Sequence, residues 1–78
     1  MPDVDKRLEQ CFAMVFPALS PTEIESASTD NVEQWDSLAS ITLAALIEEE
    51  FAIRVPPEDL PNLLSFEEIA QYLSQRAG

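Results

Sequence analysis

Apolar residues recur at intervals of three and four along this chain, in segments that prolines interrupt. Because this spacing matches the helical repeat, the apolar side chains of each segment share one helical face. The first segment is predicted from about Asp3 to Phe16, and Pro17 ends it because proline disfavours a helical residue before it. The sequence therefore predicts an all-α protein with four helical segments and no strand, in a single domain spanning residues 1–78.

The region 17–36 is a long connection that carries one helix-start signal. The stretch Ser20 to Glu23 is a capping-box sequence with proline at the first helical position, which predicts one or two helical turns. The run from Glu25 to Asn31 is polar and has no period, so it is expected to form a loop. A loop this long in so small a domain is usually functional or mobile.

The segment from Asp36 to Phe51 has the strongest helical pattern. Asp36 is predicted to cap this helix, because its carboxylate accepts hydrogen bonds from the free amides of the first turn. The core side of the helix is predicted to consist of Leu43, Ala44, Ile47 and Phe51. The exposed side is predicted to consist of Leu38, Ile41, Thr42, Ala45, Glu48 and Glu49.

The last third of the chain predicts a short turn followed by a helix. The stretch Val55 to Pro61 is expected to hold one helical turn at most, because Pro61 blocks continuation. The stretch Ser65 to Glu68 is a second capping-box sequence and opens the final helix. The apolar residues expected to pack here are Leu60, Leu63, Leu64, Phe66, Ile69, Ala70 and Leu73.

The charge of the chain limits its partners. Fifteen Asp and Glu residues against four Lys and Arg residues give a net charge of −11. Nucleic acid and anionic membrane surfaces are therefore not expected to bind, and a basic protein surface is the natural complement.

Missing residue types exclude most catalytic chemistry. The chain has no His, its one glycine is Gly78, and Cys11 lies on an apolar stripe where a small core residue is expected. Without these residue types, no enzyme activity is expected. No dedicated metal site is expected either, since no calcium-binding loop pattern is present. No stretch is apolar and long enough for a membrane span, and no signal peptide is recognised, so a cytoplasmic location is expected.

Ser37 occupies the first position of the strongest predicted helix. One interpretation is that Asp36 and Ser37 are ordinary N-terminal capping residues, since capping accounts for both residue types. The other is that the Ser37 hydroxyl carries a phosphate ester, which the positive end of the helix dipole favours.

A wider pattern resembles the acyl carrier protein family. It consists of Asp36-Ser37-Leu38, then Leu43, the run Glu48-Glu49-Glu50-Phe51, Val55-Pro56 and a final amphipathic helix, and it covers nearly the whole chain. The resemblance implies a four-helix bundle with a long first loop and a short third helix. It also implies that a phosphopantetheinyl transferase, using coenzyme A and Mg²⁺, esterifies Ser37 with 4'-phosphopantetheine, and that Asp36 supports this attachment.

The resemblance further implies a monomeric carrier that holds acyl groups as thioesters for enzymes of fatty acid, polyketide or other specialised biosynthesis. Those enzymes would dock with basic surfaces on the exposed side of the strongest helix, where Leu38 is the main apolar anchor. Two departures favour a specialised pathway over primary fatty acid synthesis. Gln34 stands where family members often have glycine, and the exposed side of the helix is less acidic than usual.

Three other interpretations stay open at this point. A peptidyl or aryl carrier would share the serine and the fold but hold an aminoacyl or aryl group. An acidic helical adaptor would use Asp36 and Ser37 only as caps. A small calcium-binding module is the third, and the absence of a calcium-loop pattern counts against it.

Overall fold

Five helical segments make up the computed structural model of the protein, which describes residues 2–77. The α-helices are α1 (Pro2–Val15), α2 (Pro21–Glu25), α3 (Ser37–Phe51) and α4 (Phe66–Ala77), and a 3₁₀ helix (Pro57–Asn62) lies between α3 and α4. The described residues form no strand, only an isolated bridge between Ser28 and Ser65. The all-α prediction is therefore confirmed.

The predicted helix-start signals are also confirmed. The Ser20 hydroxyl accepts a hydrogen bond from the Glu23 amide at 3.2 Å, and the Glu23 carboxylate accepts one from the Ser20 amide at 2.8 Å. Ser65 accepts from the Glu68 amide at 3.1 Å, while the Glu68 carboxylate accepts from the Leu64 amide at 3.1 Å. The second box is thus displaced by one residue, because its carboxylate bonds the amide that precedes the serine.

The segment between α3 and α4 is longer than the single turn that the sequence predicts. Its 3₁₀ helix continues through Pro61 to Asn62. The Asp59 amide donates to the Pro56 carbonyl at 3.0 Å, and the Leu63 amide donates to the Leu60 carbonyl at 3.0 Å. Pro61 has no amide hydrogen to donate, and neither of these bonds needs one from it. Pro61 is therefore compatible with the 3₁₀ helix, although proline interrupts an α-helix.

One hydrophobic core joins all the helices. The predicted core residues of α3 and α4 are buried except for Ala44 and Ala70, which are half-buried. The rings of Phe12 and Phe66 pack in this core with their centroids 5.3 Å apart. The buried residues of the three long helices are Leu8, Cys11, Phe12, Leu43, Ile47, Phe51, Phe66, Ile69 and Leu73. The prediction that Cys11 is a core residue is confirmed, and burial raises the pKa of its thiol.

The connection between α1 and α3 contributes more to the core than its polar sequence predicts. Ile24, Ala27, Val32 and Trp35 are all buried. The Thr29 amide donates to the Leu64 carbonyl at 2.9 Å, and the Phe66 amide donates to the Ala27 carbonyl at 2.9 Å. The connection is therefore bonded to the start of α4.

Leu64 is an exception to the predicted packing. Its side chain is 44% exposed, whereas Leu63 is buried and Leu60 is half-buried. The carbonyl of Leu64 bonds Thr29, so the backbone pairing that fixes this residue leaves its side chain outside the core.

Candidate functional site

The start of α3 is fixed by Asp36, as the sequence predicts. Asp36 has extended backbone angles, with φ −102° and ψ −171°, and its Oδ1 accepts a hydrogen bond from the Ala39 amide at 2.9 Å. This bond satisfies one of the amides that have no partner within the helix. The carboxylate of Asp36 is therefore held against the first turn.

Ser37 is the first residue of α3, and it is exposed. Its hydroxyl lies next to the amide end of a 15-residue helix, where the helix dipole favours a negatively charged group. A phosphodiester bonded to this oxygen would be stabilised there without the burial of any charge. The geometry of Ser37 and Asp36 therefore fits an esterified serine.

Trp35 anchors the residues that lead into α3, a role that the helical periodicity of the sequence does not predict. The indole is buried, and it makes an edge-to-face contact with the Phe12 ring, with the centroids 5.3 Å apart and the planes at 83°. The indole Nε1 donates a hydrogen bond to the Ser40 hydroxyl at 2.8 Å. The available signal was a single tryptophan directly before a helix cap, in a position from which it can fold back onto the first turn.

The two sides of α3 divide as predicted, apart from Glu48, which is half-buried. Leu43 is only 2% exposed, whereas Leu38 is 71% exposed and Ile41 is 57% exposed. Thr42, Ala45 and Glu49 are exposed as well. The Thr42 hydroxyl donates to the Leu38 carbonyl at 3.1 Å, so Thr42 turns its polar group back onto the helix. The exposed residues Leu38, Ile41, Thr42, Ala45 and Glu49 are called the α3 face below.

Glu48 differs from the rest of the predicted docking residues. It is half-buried, and its Oε2 accepts a hydrogen bond from the Val55 amide at 2.7 Å. One of its carboxylate oxygens is therefore used inside the protein, at the far end of α3 from Ser37.

Two of the four cationic side chains are already paired with carboxylates. Arg7 Nε donates to Glu50 Oε2 at 2.8 Å, and Arg76 Nη2 donates to Asp59 Oδ2 at 3.2 Å. Glu49 takes part in neither pair, so it remains the acidic group of the α3 face. Within residues 2–77, no helix is long and apolar enough to cross a membrane.

Comparison with known proteins identifies the family. The sequence profile of the phosphopantetheine attachment site family matches residues 6–73. A curated relative, an acyl carrier protein from Kineococcus radiotolerans, is 35% identical over 54 residues, which are 69% of this chain and 65% of that protein. The alignment thus spans slightly less than two thirds of the relative's length.

The chain therefore belongs to the phosphopantetheine attachment site family, and it is similar to an acyl carrier protein. Members of this family carry 4'-phosphopantetheine attached covalently at that site. Ser37, Asp36 and Leu38 lie within the matched residues. The cytoplasmic location stays a prediction.

Proposed function

We propose that this protein is a carrier that holds acyl groups as thioesters on a 4'-phosphopantetheine arm attached to Ser37. It would deliver these groups to enzymes of fatty acid, polyketide or other specialised biosynthesis. The observation that carries the proposal is the exposed Ser37 at the first position of α3, directly after the capping residue Asp36 and inside the matched family region.

The choice of Ser37 is supported by its contrast with Ser40, which lies one helical turn further on. Ser40 is half-buried, and its hydroxyl accepts the indole hydrogen bond of Trp35. Ser37 is exposed at the helix start. Attachment forms a bond between Ser37 Oγ and the phosphorus of the arm, while the phosphoanhydride bond of coenzyme A breaks and the adenosine bisphosphate leaves. The Ser37 proton passes to a base of the transferase.

The arm supplies a terminal thiol, on which acyl groups are held as thioesters. This chain supplies the attachment point, its orientation and a surface for docking. A carrier must dock and leave repeatedly, so weak contacts of a small apolar anchor with charged groups around it suit the task. Leu38 and Ile41 provide such an anchor, and Glu49 provides the charge.

The expected partners are a phosphopantetheinyl transferase and acyl-loading and acyl-transferring enzymes with basic docking surfaces. The carrier is proposed to act as a monomer, since two chains of net charge −11 repel each other. Residues 1–78 are proposed to form one domain. Its proposed arrangement is a four-helix bundle in which α1, α3 and α4 are the long helices. The 3₁₀ helix Pro57–Asn62 would take the place of the short third helix.

Intact-mass spectrometry tests the attachment. The apo protein is incubated with coenzyme A, Mg²⁺ and a broad-specificity transferase, and the product is mapped by peptide fragmentation. One arm on Ser37 is expected in the unmodified sequence, and none in Ser37→Ala. Ser74→Ala is the matched control, because Ser74 is an exposed serine on α4 and its loss should leave loading unchanged. An arm mapped to another hydroxyl, or no arm at all, would refute the proposal.

A further inference from the structure

The Trp35 side chain is held by two aromatic rings and one hydrogen bond. The rings of Phe12 and Phe16 lie against the indole, with centroids 5.3 Å and 5.8 Å from its own. Its Nε1 donates to the Ser40 hydroxyl at 2.8 Å. Phe12 belongs to α1 and Ser40 to the first turn of α3, so this side chain joins the start of α3 to α1.

The backbone before Ser37 is bonded at successive residues. The Trp35 amide donates to the Val32 carbonyl at 3.0 Å, and the Asp36 amide donates to the Gln34 carbonyl at 3.0 Å. Among residues 2–77, Ala52 is the one non-glycine residue with positive φ. The turn at Gln34 therefore needs no glycine, and the anchored indole restricts the approach to α3 instead.

We propose that Trp35 and Ser40 form a positioning pair that holds Asp36 and Ser37 in the orientation presented to the transferase. The inference rests on the proposed function, since it concerns attachment at Ser37. Loss of the pair leaves the first turn of α3 free to reorient, and the transferase must then order it on binding. Interactions that order a binding segment beforehand remove this cost from association.

The same hydrogen bond separates the two serines of the first turn. Ser37 and Ser40 are three residues apart and therefore lie on neighbouring positions of one helical face. The Ser40 oxygen accepts a hydrogen bond from a buried indole, which occupies one of its two lone pairs and makes it a poorer nucleophile than the Ser37 oxygen. The pair thus directs modification to Ser37.

The test uses steady-state kinetics of arm transfer from coenzyme A, with the apo carrier as the varied substrate. Trp35→Phe removes the indole donor, and Ser40→Ala removes the acceptor. We expect kcat/KM to fall about fivefold in each, the factor that corresponds to the loss of about 1 kcal/mol for one hydrogen bond. The loss should fall mainly on KM, because the reacting groups are unchanged once the carrier is bound.

Three controls separate positioning from stability. Ser40→Thr keeps a hydroxyl acceptor and should retain most of the unmodified kcat/KM. Ile69→Val shortens a fully buried side chain of α4 and should lower the melting temperature while leaving kcat/KM unchanged. The double variant Trp35→Phe with Ser40→Ala should lose no more than either single variant, because both remove the same bond. All rates are measured well below the melting temperature of every variant.

The pair is merely structural if Trp35→Phe and Ser40→Ala melt earlier yet keep the unmodified KM. Equal losses in Ser40→Ala and Ile69→Val would also overturn the inference, since they would show that any destabilisation has this effect. Failure of the proposed function gives a different result. In that case the unmodified protein accepts no arm, or Ser37→Ala still accepts one.

Discussion

The Oε2 atom of Glu48 accepts a hydrogen bond from the Val55 amide at 2.7 Å. This bond joins the last turns of α3 to the irregular segment that follows, across the left-handed residue Ala52. Val55 is buried, so its amide has little access to water if the carboxylate is removed. Glu48 therefore has a structural role besides the docking role predicted for it.

Removal of the Glu48 side chain is expected to destabilise the protein. Glu48→Ala should lower the free energy of unfolding by about 1–3 kcal/mol, because it leaves a buried amide without a partner. Glu48→Gln keeps an oxygen acceptor and should remain close to the unmodified protein. Glu49→Ala is the matched control, since Glu49 is the exposed neighbour. Denaturant unfolding measures all three, and equal stability of Glu48→Ala and Glu49→Ala would contradict the role assigned to this bond.

Leu38 and Leu43 lie on opposite sides of α3, and the same substitution should affect them differently. Leu38→Ala should change the free energy of unfolding by less than about 0.5 kcal/mol, because the side chain is already exposed to water. Leu43→Ala should cost about 2–5 kcal/mol, because it leaves a cavity in the core. Calorimetry measures the stability of both variants.

The effects of the two substitutions on partner binding should show the opposite order, with Leu38→Ala the more damaging. Leu38→Ala should raise the KM of transferase and acyl-loading reactions, since it removes the apolar anchor of the α3 face. Leu43→Ala should leave KM unchanged at temperatures where it is fully folded. An unchanged KM in Leu38→Ala would remove Leu38 from the docking surface.

The helices and their buried faces could be predicted from the sequence because their signals are local. Leu43 and Ile47 are separated by one helical turn, and Ser20 and Glu23 cap a helix by contacts within four residues. Such patterns depend on the helical repeat alone. The exposure of Leu38 followed from the same geometry, since its position opposes the core side of its own helix.

The contacts of the long connection could not be predicted in this way. Trp35 is buried because Phe12, which is distant in sequence, lies beside it, and Thr29 is fixed by pairing with Leu64. Neither contact has a periodic signature in a short window. The second role of Glu48 was missed for a related reason, since it depends on the chain turning back after Ala52.

Ala52 ends α3 in a left-handed conformation, with φ 54° and ψ 45°. This conformation is unfavourable for alanine by about 1–2 kcal/mol, whereas glycine adopts it readily. Ala52→Gly should therefore stabilise the protein by about 0.5–1 kcal/mol, after allowance for the greater freedom of glycine in the unfolded chain. Ala45→Gly, an exposed site within the same helix, should instead destabilise it by about 0.5–1 kcal/mol. Thermal melting compares them, and the same sign for both changes would contradict the argument.

Tyr72 links α4 to the 3₁₀ helix, because its hydroxyl donates to Asp59 Oδ2 at 2.6 Å. Burial, together with this hydrogen bond to Asp59, raises the pKa of Tyr72 from 10.0 to about 12. Because the folded state binds this proton more tightly than the unfolded state, the stabilisation is complete below pH 10 and is lost as the pH rises towards 12.

The titration of Tyr72 can be followed directly, since it is the single tyrosine of the chain. Tyrosinate absorbance should develop near the raised pKa in the folded protein and near the ordinary value in denaturant. The loss of stability at high pH should be smaller in Tyr72→Phe. A tyrosinate midpoint that is equal in the folded and denatured protein would show that the contact with Asp59 is not formed in solution.

The net charge of −11 predicts that salt stabilises the protein. The carboxylates are distributed over a body with a radius of gyration of 11.2 Å, and their mutual repulsion favours the expanded chain. The screening length falls from about 30 Å at 0.01 M salt to about 10 Å at 0.1 M, which is comparable to that radius. The melting temperature at neutral pH should therefore rise as NaCl is added over this range.

Salt also has a destabilising effect, because it weakens two ion pairs of the folded protein. These are Arg7 with Glu50 and Arg76 with Asp59. Both pairs are partly exposed, and such pairs contribute about 0–1 kcal/mol each. Relief of the net repulsion should therefore dominate. Mg²⁺ or Ca²⁺ at matched ionic strength should raise the melting temperature further, because a divalent ion screens the surplus of carboxylates more effectively than Na⁺ does. Arg7→Gln is the control, since it adds one unit of net negative charge and should steepen the dependence on NaCl. A melting temperature that stays constant or falls with NaCl would show that the local pairs outweigh the net charge.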